Sequence, residues 1–115
     1  MTDCLFCQII KGKIPSTKVY EDDFTYAFED ISPQAPTHVL VISKEHVQDL
    51  SDAVATLHDT ALASCLKACS KVVDIKNLKA NGYRIVSNAG VHGCQSVSHF
   101  HIHVLGGKPL TETLG

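Results

Sequence analysis

Residues 99 to 105 read His99-Phe100-His101-Ile102-His103-Val104-Leu105, and no other stretch of this 115-residue chain constrains its fold as tightly. Polar and apolar positions alternate with a period of two. That is the pattern of a half-buried β-strand, because successive side chains on a strand point to opposite faces. Phe100, Ile102 and Val104 are expected in the core, with three imidazoles in a row on the other face. Same-face residues on a strand lie roughly 6.7 Å apart, which separates His99 from His103 by about 13 Å. Zinc holds nitrogen ligands at about 2.0–2.1 Å, so one ion takes at most an adjacent pair from a straight strand. The three rings must divide the labour.

The remaining patterning supplies partners for that strand. Leu5, Phe6, Ile9 and Ile10 recur at helical spacing and Gly12 ends the run, which predicts a short N-terminal helix. Lys18 to Glu21 and Phe24 to Asp30 are strand-like, joined by an Asp22-Asp23 turn. Pro33 and Pro36 mark a loop before a third strand, His38 to Ile42. A long helix is expected from Asp52 to Lys76 with Ser51 as its N-cap. Its inward stripe would be Val54, Leu57, Ala61, Leu62, Cys65, Ala68, Cys69, Val72 and Val73. Asn81-Gly82 signals a turn, followed by strands at Tyr83 to Ser87 and Val97 to Leu105. Strands, one long helix, then strands with short links make an α+β fold with a five-stranded antiparallel sheet.

Length and composition bound the function. A chain of 115 residues makes one domain, residues 1–115, with a single modest core. A net charge of −2 disfavours a bulk nucleic-acid binder, which needs cations to neutralise phosphates. No window approaches a membrane span and no signal-peptide layout opens the chain, so the expected location is cytoplasmic. Five cysteines, an odd number, suit reduced thiols or a metal site better than a disulfide framework. Cys65 and Cys69 fall on the apolar stripe and read as core. His58 and His92 read as surface residues.

Two features carry chemistry. Imidazole is partly neutral at pH 7 and a competent nucleophile, and the middle ring, His101, can be flanked by polar partners on both sides. Cys4-x-x-Cys7 is half of a tetrahedral zinc site whose other ligands must come from far along the chain. His99, an end ring of the row, and His46, after the third strand, are candidates.

The His-x-His-x-His-x-x pattern with apolar residues at each x resembles the histidine triad family of nucleotide hydrolases and transferases. Phe28-Glu29-Asp30-Ile31-Ser32-Pro33-Gln34-Ala35-Pro36-Thr37-His38 resembles the ribose-binding segment of its Hint branch, the purine nucleoside phosphoramidases. Asn88-Ala89-Gly90, with Gly93-Cys94-Gln95-Ser96-Val97, resembles that branch's phosphate loop, and Gly106-Gly107 follows the triad as it does there. Cys94 stands where that branch is expected to carry glycine.

The resemblance implies a nucleotidyl-histidine intermediate on His101, with His103 and Ser96 assisting the departing group and His38 orienting the row. Asp30 would accept hydrogen bonds from a ribose diol, and Asn88, Cys94, Gln95 and Ser96 would surround phosphate. Leu5, Phe6, Ile9, Phe28 and Ile31 would wall a purine slot, although each also reads as core. Cys4, Cys7, His46 and His99 would hold a structural zinc, with no catalytic metal. A homodimer paired edge to edge into one continuous sheet, with the long helix also at the interface, is implied as well. Two other functions compete: a dinucleoside polyphosphate hydrolase of the same superfamily, and a zinc-bearing nucleotide-sensing or scaffold module. The Ser-Pro-Gln-Ala-Pro segment and Gly106-Gly107 disfavour the first, and an intact His101 among phosphate-loop residues disfavours the second.

Overall fold

The computed structural model describes residues 4–114. In chain order they form α1 (Leu5–Ile10), β1 (Lys18–Glu21), β2 (Thr25–Glu29), β3 (Thr37–Ser43), α2 (Leu50–Thr56), α3 (Asp59–Ile75), β4 (Tyr83–Val86) and β5 (His101–Gly106). The five strands make one antiparallel sheet in the order β1-β2-β3-β5-β4. The α+β expectation holds.

Alternation on the strands gives the sheet two apolar faces. Ala27, Val39, Val41, Ile102 and Val104 meet Cys65, Ala68, Cys69, Val72 and Val73 of α3 in the main core. On the other face, Phe28, Leu40 and Ile42 meet Phe6 and Ile9 of α1. The histidines share this second face, so α1 packs beside them. The β1–β2 turn forms as read. Asp22 Oδ1 accepts from the backbone N–H of Phe24 and of Thr25, both at 2.8 Å.

The long helix departs from expectation. It is two helices, broken at Leu57 and His58, whose ψ angles of 144° and 148° are extended. The first begins earlier than Ser51: Asp49 is its N-cap, accepting from Asp52 N–H at 2.9 Å while Asp52 Oδ2 accepts from Gln48 N–H at 2.7 Å. Asp52 thus reaches one residue past the cap, to the N–H before it, instead of closing a capping box with Asp49 itself. The break lets Leu57 drop into the core and resets the helical phase. Ala53 therefore points inward, and Val54, expected there, is 60% exposed.

The last strand is also shorter than the Val97 to Leu105 expectation. Pairing begins at His101 opposite Ile42. Upstream the chain bends away: His99 N–H donates to Val97 O and Phe100 N–H to Val47 O. His99 is thereby released from the straight row, and its ring reaches a different set of partners from those of His101 and His103.

Candidate functional site

The bend at residues 97–99 supplies the acceptor that fixes His101. Its Nδ1 lies 2.6 Å from the His99 carbonyl oxygen. A carbonyl only accepts, so Nδ1 carries the proton and, in the neutral ring, Nε2 keeps a free lone pair. Phe6 of α1 packs edge-on against the ring at 5.1 Å. The ring is buried, and its tautomer is the one a nucleophile at Nε2 requires. Ser87 Oγ donates to the His101 carbonyl at 2.8 Å, an anchor that sequence reading missed.

His103 and His38 form a second pair. His38 Nδ1 accepts from the Gln34 backbone N–H at 3.0 Å, and its Nε2 lies 2.8 Å from His103 Nδ1 and 3.4 Å from Asp30 Oδ2. Burial pushes the His38 pKa below its ordinary value against the opposing pull of Asp30. His103 is pushed down to about 4, first by burial and then by neighbouring His101 and His38. Both rings are neutral at pH 7.

Cys4 is the N-cap of α1, its Sγ accepting from the Cys7 N–H at 3.4 Å, so the Cys-x-x-Cys spacing brings both sulfurs to one helix end. His99 Nε2–H donates to the Ser43 carbonyl at 2.7 Å, which leaves the Nδ1 lone pair facing the sulfurs. That Nδ1 is 3.3 Å from Cys4 Sγ, 3.6 Å from Cys7 Sγ and 3.2 Å from His46 Nδ1, while Cys7 Sγ is 3.3 Å from His46 Nδ1. Tetrahedral zinc with ordinary bond lengths needs ligand separations of about 3.3–3.8 Å. The four predicted residues are brought together and can hold a metal ion. Asp30, His38 and His103 also converge within 4.8 Å. The Gln34 N–H, however, directs the His38 proton to Nε2, the atom that would have to ligate, and this disfavours a metal there.

The residues expected to form a phosphate loop are held by their own network. Asn88 Nδ2 donates to Gly93 O at 2.7 Å. Gln95 Oε1 accepts from Gly90 N–H, and its Nε2 donates to the carbonyls of Gln48 and Val97. Gln95 thus braces the loop with its whole amide. Ser96 and Cys94 are exposed. At Gly93 a Cβ would collide with the Ala89 backbone, so only glycine fits. Cys94 adopts φ +61°, the left-handed region, which accounts for glycine being the better residue there. That conformation costs a non-glycine residue roughly 1–2 kcal/mol, partly offset in a Cys94→Gly variant by the freer unfolded chain. Cys94→Gly is expected to stabilise by about 0.5–1 kcal/mol, raising Tm by a few degrees. An unchanged or lower Tm would refute the strain.

Around Asp30, expectation and geometry divide. Asp30 Oδ1 accepts from Ser32 N–H at 2.7 Å, ordinary turn chemistry, while Oδ2 turns toward His38. Phe6, Ile9 and Phe28 are buried with one another and belong to the core. Leu5 and Ile31 are 43% and 98% exposed. A cavity of about 320 Å³ lies beside Asp30 and Ile31, lined also by Pro15, Ser16, Thr17 and Glu29. A larger one, about 460 Å³ between residues 77–82 and 107–109, contains none of the histidines. His58 and His92 are exposed, as read.

Comparison with known proteins agrees with this fold. The HIT domain family profile matches residues 11–110. The chain is 42% identical over 112 residues to a purine nucleoside phosphoramidase of Escherichia coli K12, covering 97% of this chain and 93% of that one. It is 45% identical over 106 residues to a 14 kDa zinc-binding protein of Zea mays, covering 92% and 83%. A crystal structure of a HIT family hydrolase from Legionella pneumophila superposes with a TM-score of 0.89 at 42% identity, covering 98% of this chain and 100% of that one.

Proposed function

The chain belongs to the HIT domain family and is a hydrolase, and from that premise we propose that it cleaves purine nucleoside 5′-phosphoramidates, adenosine 5′-phosphoramidate being the model substrate. The observation that carries this reading is the Nδ1–H bond from His101 to the His99 carbonyl, which frees Nε2 for attack. Nε2 bonds to the α-phosphorus as the phosphorus–nitrogen bond to the amine breaks. The ring becomes cationic, and the His99 carbonyl stabilises that charge at the opposite nitrogen. A proton relayed from solvent through Ser96 Oγ reaches the departing nitrogen, which His103 hydrogen-bonds, and the group leaves as the amine. Water then attacks phosphorus as the phosphorus–Nε2 bond breaks, its proton passes back through Ser96 to solvent, and neutral His101 is restored with release of the nucleoside monophosphate.

The backbone N–H groups of Gly93 and Ser96, with Asn88, offer charge stabilisation to the nonbridging oxygens, while those of Cys94 and Gln95 donate to the Val91 and Gly90 carbonyls and hold the loop. Asp30 offers its remaining acceptor capacity to the ribose hydroxyls, and exposed Leu5 and Ile31 close over a purine on the floor made by Phe6, Ile9 and Phe28. A structural Zn²⁺ at Cys4, Cys7, His46 and His99 would tie α1 to the sheet; the facing lone pairs and sulfurs support it. Residues 1–115 read as one domain.

Further parts of the proposal concern assembly and place. Edge strand β4 carries Tyr83 and Ile85, 50% and 45% exposed, and α3 carries Leu66, 61% exposed, which supports a homodimer that continues the sheet. No described helix is long and apolar enough to cross a membrane. Free cysteines support a cytoplasmic setting.

The test is a panel of adenosine 5′-phosphoramidate, a dinucleoside polyphosphate and ATP. The phosphoramidate is expected to give the highest kcat/KM by at least about a hundredfold, about 2.7 kcal/mol of transition-state discrimination. A preference for the dinucleotide, or no turnover of any of the three, would overturn the assignment.

A further inference from the structure

The main-chain amide of Gln34 sits at the head of a hydrogen-bond chain that ends at the proposed chemistry. A backbone N–H can only donate, so His38 Nδ1, 3.0 Å away, must accept. Neutral His38 then carries its proton on Nε2, 2.8 Å from His103 Nδ1. His103 Nδ1 must accept in turn, which places the His103 proton on Nε2. Asp30 Oδ2, at 3.4 Å, is a longer alternative acceptor for His38 Nε2–H and is compatible with the same His38 tautomer.

We propose that the Gln34 backbone amide is a positioning group that selects the tautomer of His38, and through it makes His103 an Nε2–H donor rather than a base. The inference rests on the catalytic reading only for its consequence, since the tautomers themselves follow from hydrogen bonds. The direction of the chain cannot reverse. Were His103 to donate from Nδ1, His38 would need its proton on Nδ1, facing the Gln34 N–H donor. His103 therefore presents a hydrogen to the leaving nitrogen or a phosphoryl oxygen. His101, pinned by an acceptor instead of a donor, presents a lone pair. Two rings on one strand receive opposite roles from two backbone groups of opposite polarity, the Gln34 N–H and the His99 carbonyl. The Gln34 side chain has a separate task, donating from Nε2 to Ser32 O at 3.0 Å.

Ring ¹⁵N chemical shifts at neutral pH read the tautomers directly. In the unaltered protein, His38 and His103 are expected to be protonated at Nε2 and to accept at Nδ1. A His38 protonated at Nδ1, or a His103 protonated at Nδ1, would overturn the proposal whatever the activity. Gln34→Pro deletes the N–H, and Gln34→Ala removes the side chain but keeps it. Gln34→Ala should retain both tautomers. Gln34→Pro should give mixed tautomers at His38 and His103, with kcat lowered about tenfold and KM changed much less, the loss expected of a general acid–base partner. A folded Gln34→Pro protein with unmixed tautomers would refute the assignment. If Gln34→Pro does not fold, the spectrum of the unaltered protein still decides. The expected tautomers in a protein that turns over no nucleotide would sink the catalytic reading and leave the positioning role standing.

Discussion

Replacing His101 with alanine is expected to lower phosphoramidate turnover by on the order of 10⁴-fold or more, because it removes the atom that bonds to phosphorus. Nucleotide binding should survive, since Asp30 and the 88–96 loop do not lean on the His101 side chain in any hydrogen bond described above. Some loss of stability is also expected: the buried ring fills space against Phe6, and its removal leaves a void. His101→Asn limits that void while still deleting the nucleophile. Both variants should bind AMP by calorimetry within about tenfold of the unaltered protein, a change of about 1.4 kcal/mol. Near-normal turnover by either variant, folded and binding AMP, would exclude His101 as nucleophile.

The second large effect is expected from the metal centre. Protein purified without chelator should contain about one zinc per chain, and Cys4→Ser with Cys7→Ser should abolish it. A ligand that binds only the folded state stabilises it by about 4 kcal/mol at a thousandfold excess over its dissociation constant. Losing a zinc of that affinity or better should lower Tm by roughly 10 °C or more. The site lies at one end of α1 and at His99, so the loss should loosen α1 while β3 and β5 keep their pairing. Metal analysis that finds none, with Tm unchanged in the double variant, would dismiss the centre. A variant that stays fully folded yet loses all catalysis would make the metal catalytic instead of structural.

The heptad at 99–105 was readable because its information is local. Alternation put Phe100, Ile102 and Val104 into the main core, and that core is where they lie. The places of β1, β2 and β4 along the chain followed from turn chemistry at Asp22 and Asn81-Gly82. The helical break was not readable: Asp49 and Ser51 are equally good N-caps, and nothing local announces that Leu57 must leave the helix to be buried. His99 leaves the strand for a similar reason, since its bend answers to Val47 and Ser43, some fifty residues away.

The candidate ligands and rings could be named from side-chain chemistry, and the four metal ligands do converge. What gives each ring its role is mostly backbone: the carbonyls of His99 and Ser43 and the N–H of Gln34. Every residue has such groups, so sequence cannot mark these three. Gln95 shows the converse. Its amide suits a phosphate ligand by type, yet it is spent on Gly90, Gln48 and Val97, contacts visible only in the folded loop.

The central claim is that a covalent bond forms between His101 Nε2 and the nucleotide phosphorus. Rapid mixing with an adenosine phosphoramidate, followed by denaturation at alkaline pH and proteolysis, captures that bond before it hydrolyses. Neutral or basic conditions are essential because phosphorus–nitrogen linkages of this kind break in acid. Mass spectrometry of the peptide spanning residues 99–105 should then show one added adenylyl group, localised to His101, that appears within the first turnover and decays as AMP accumulates. An adduct on His99 or His103, or AMP released in the first turnover with no adduct on any histidine, would contradict the mechanism.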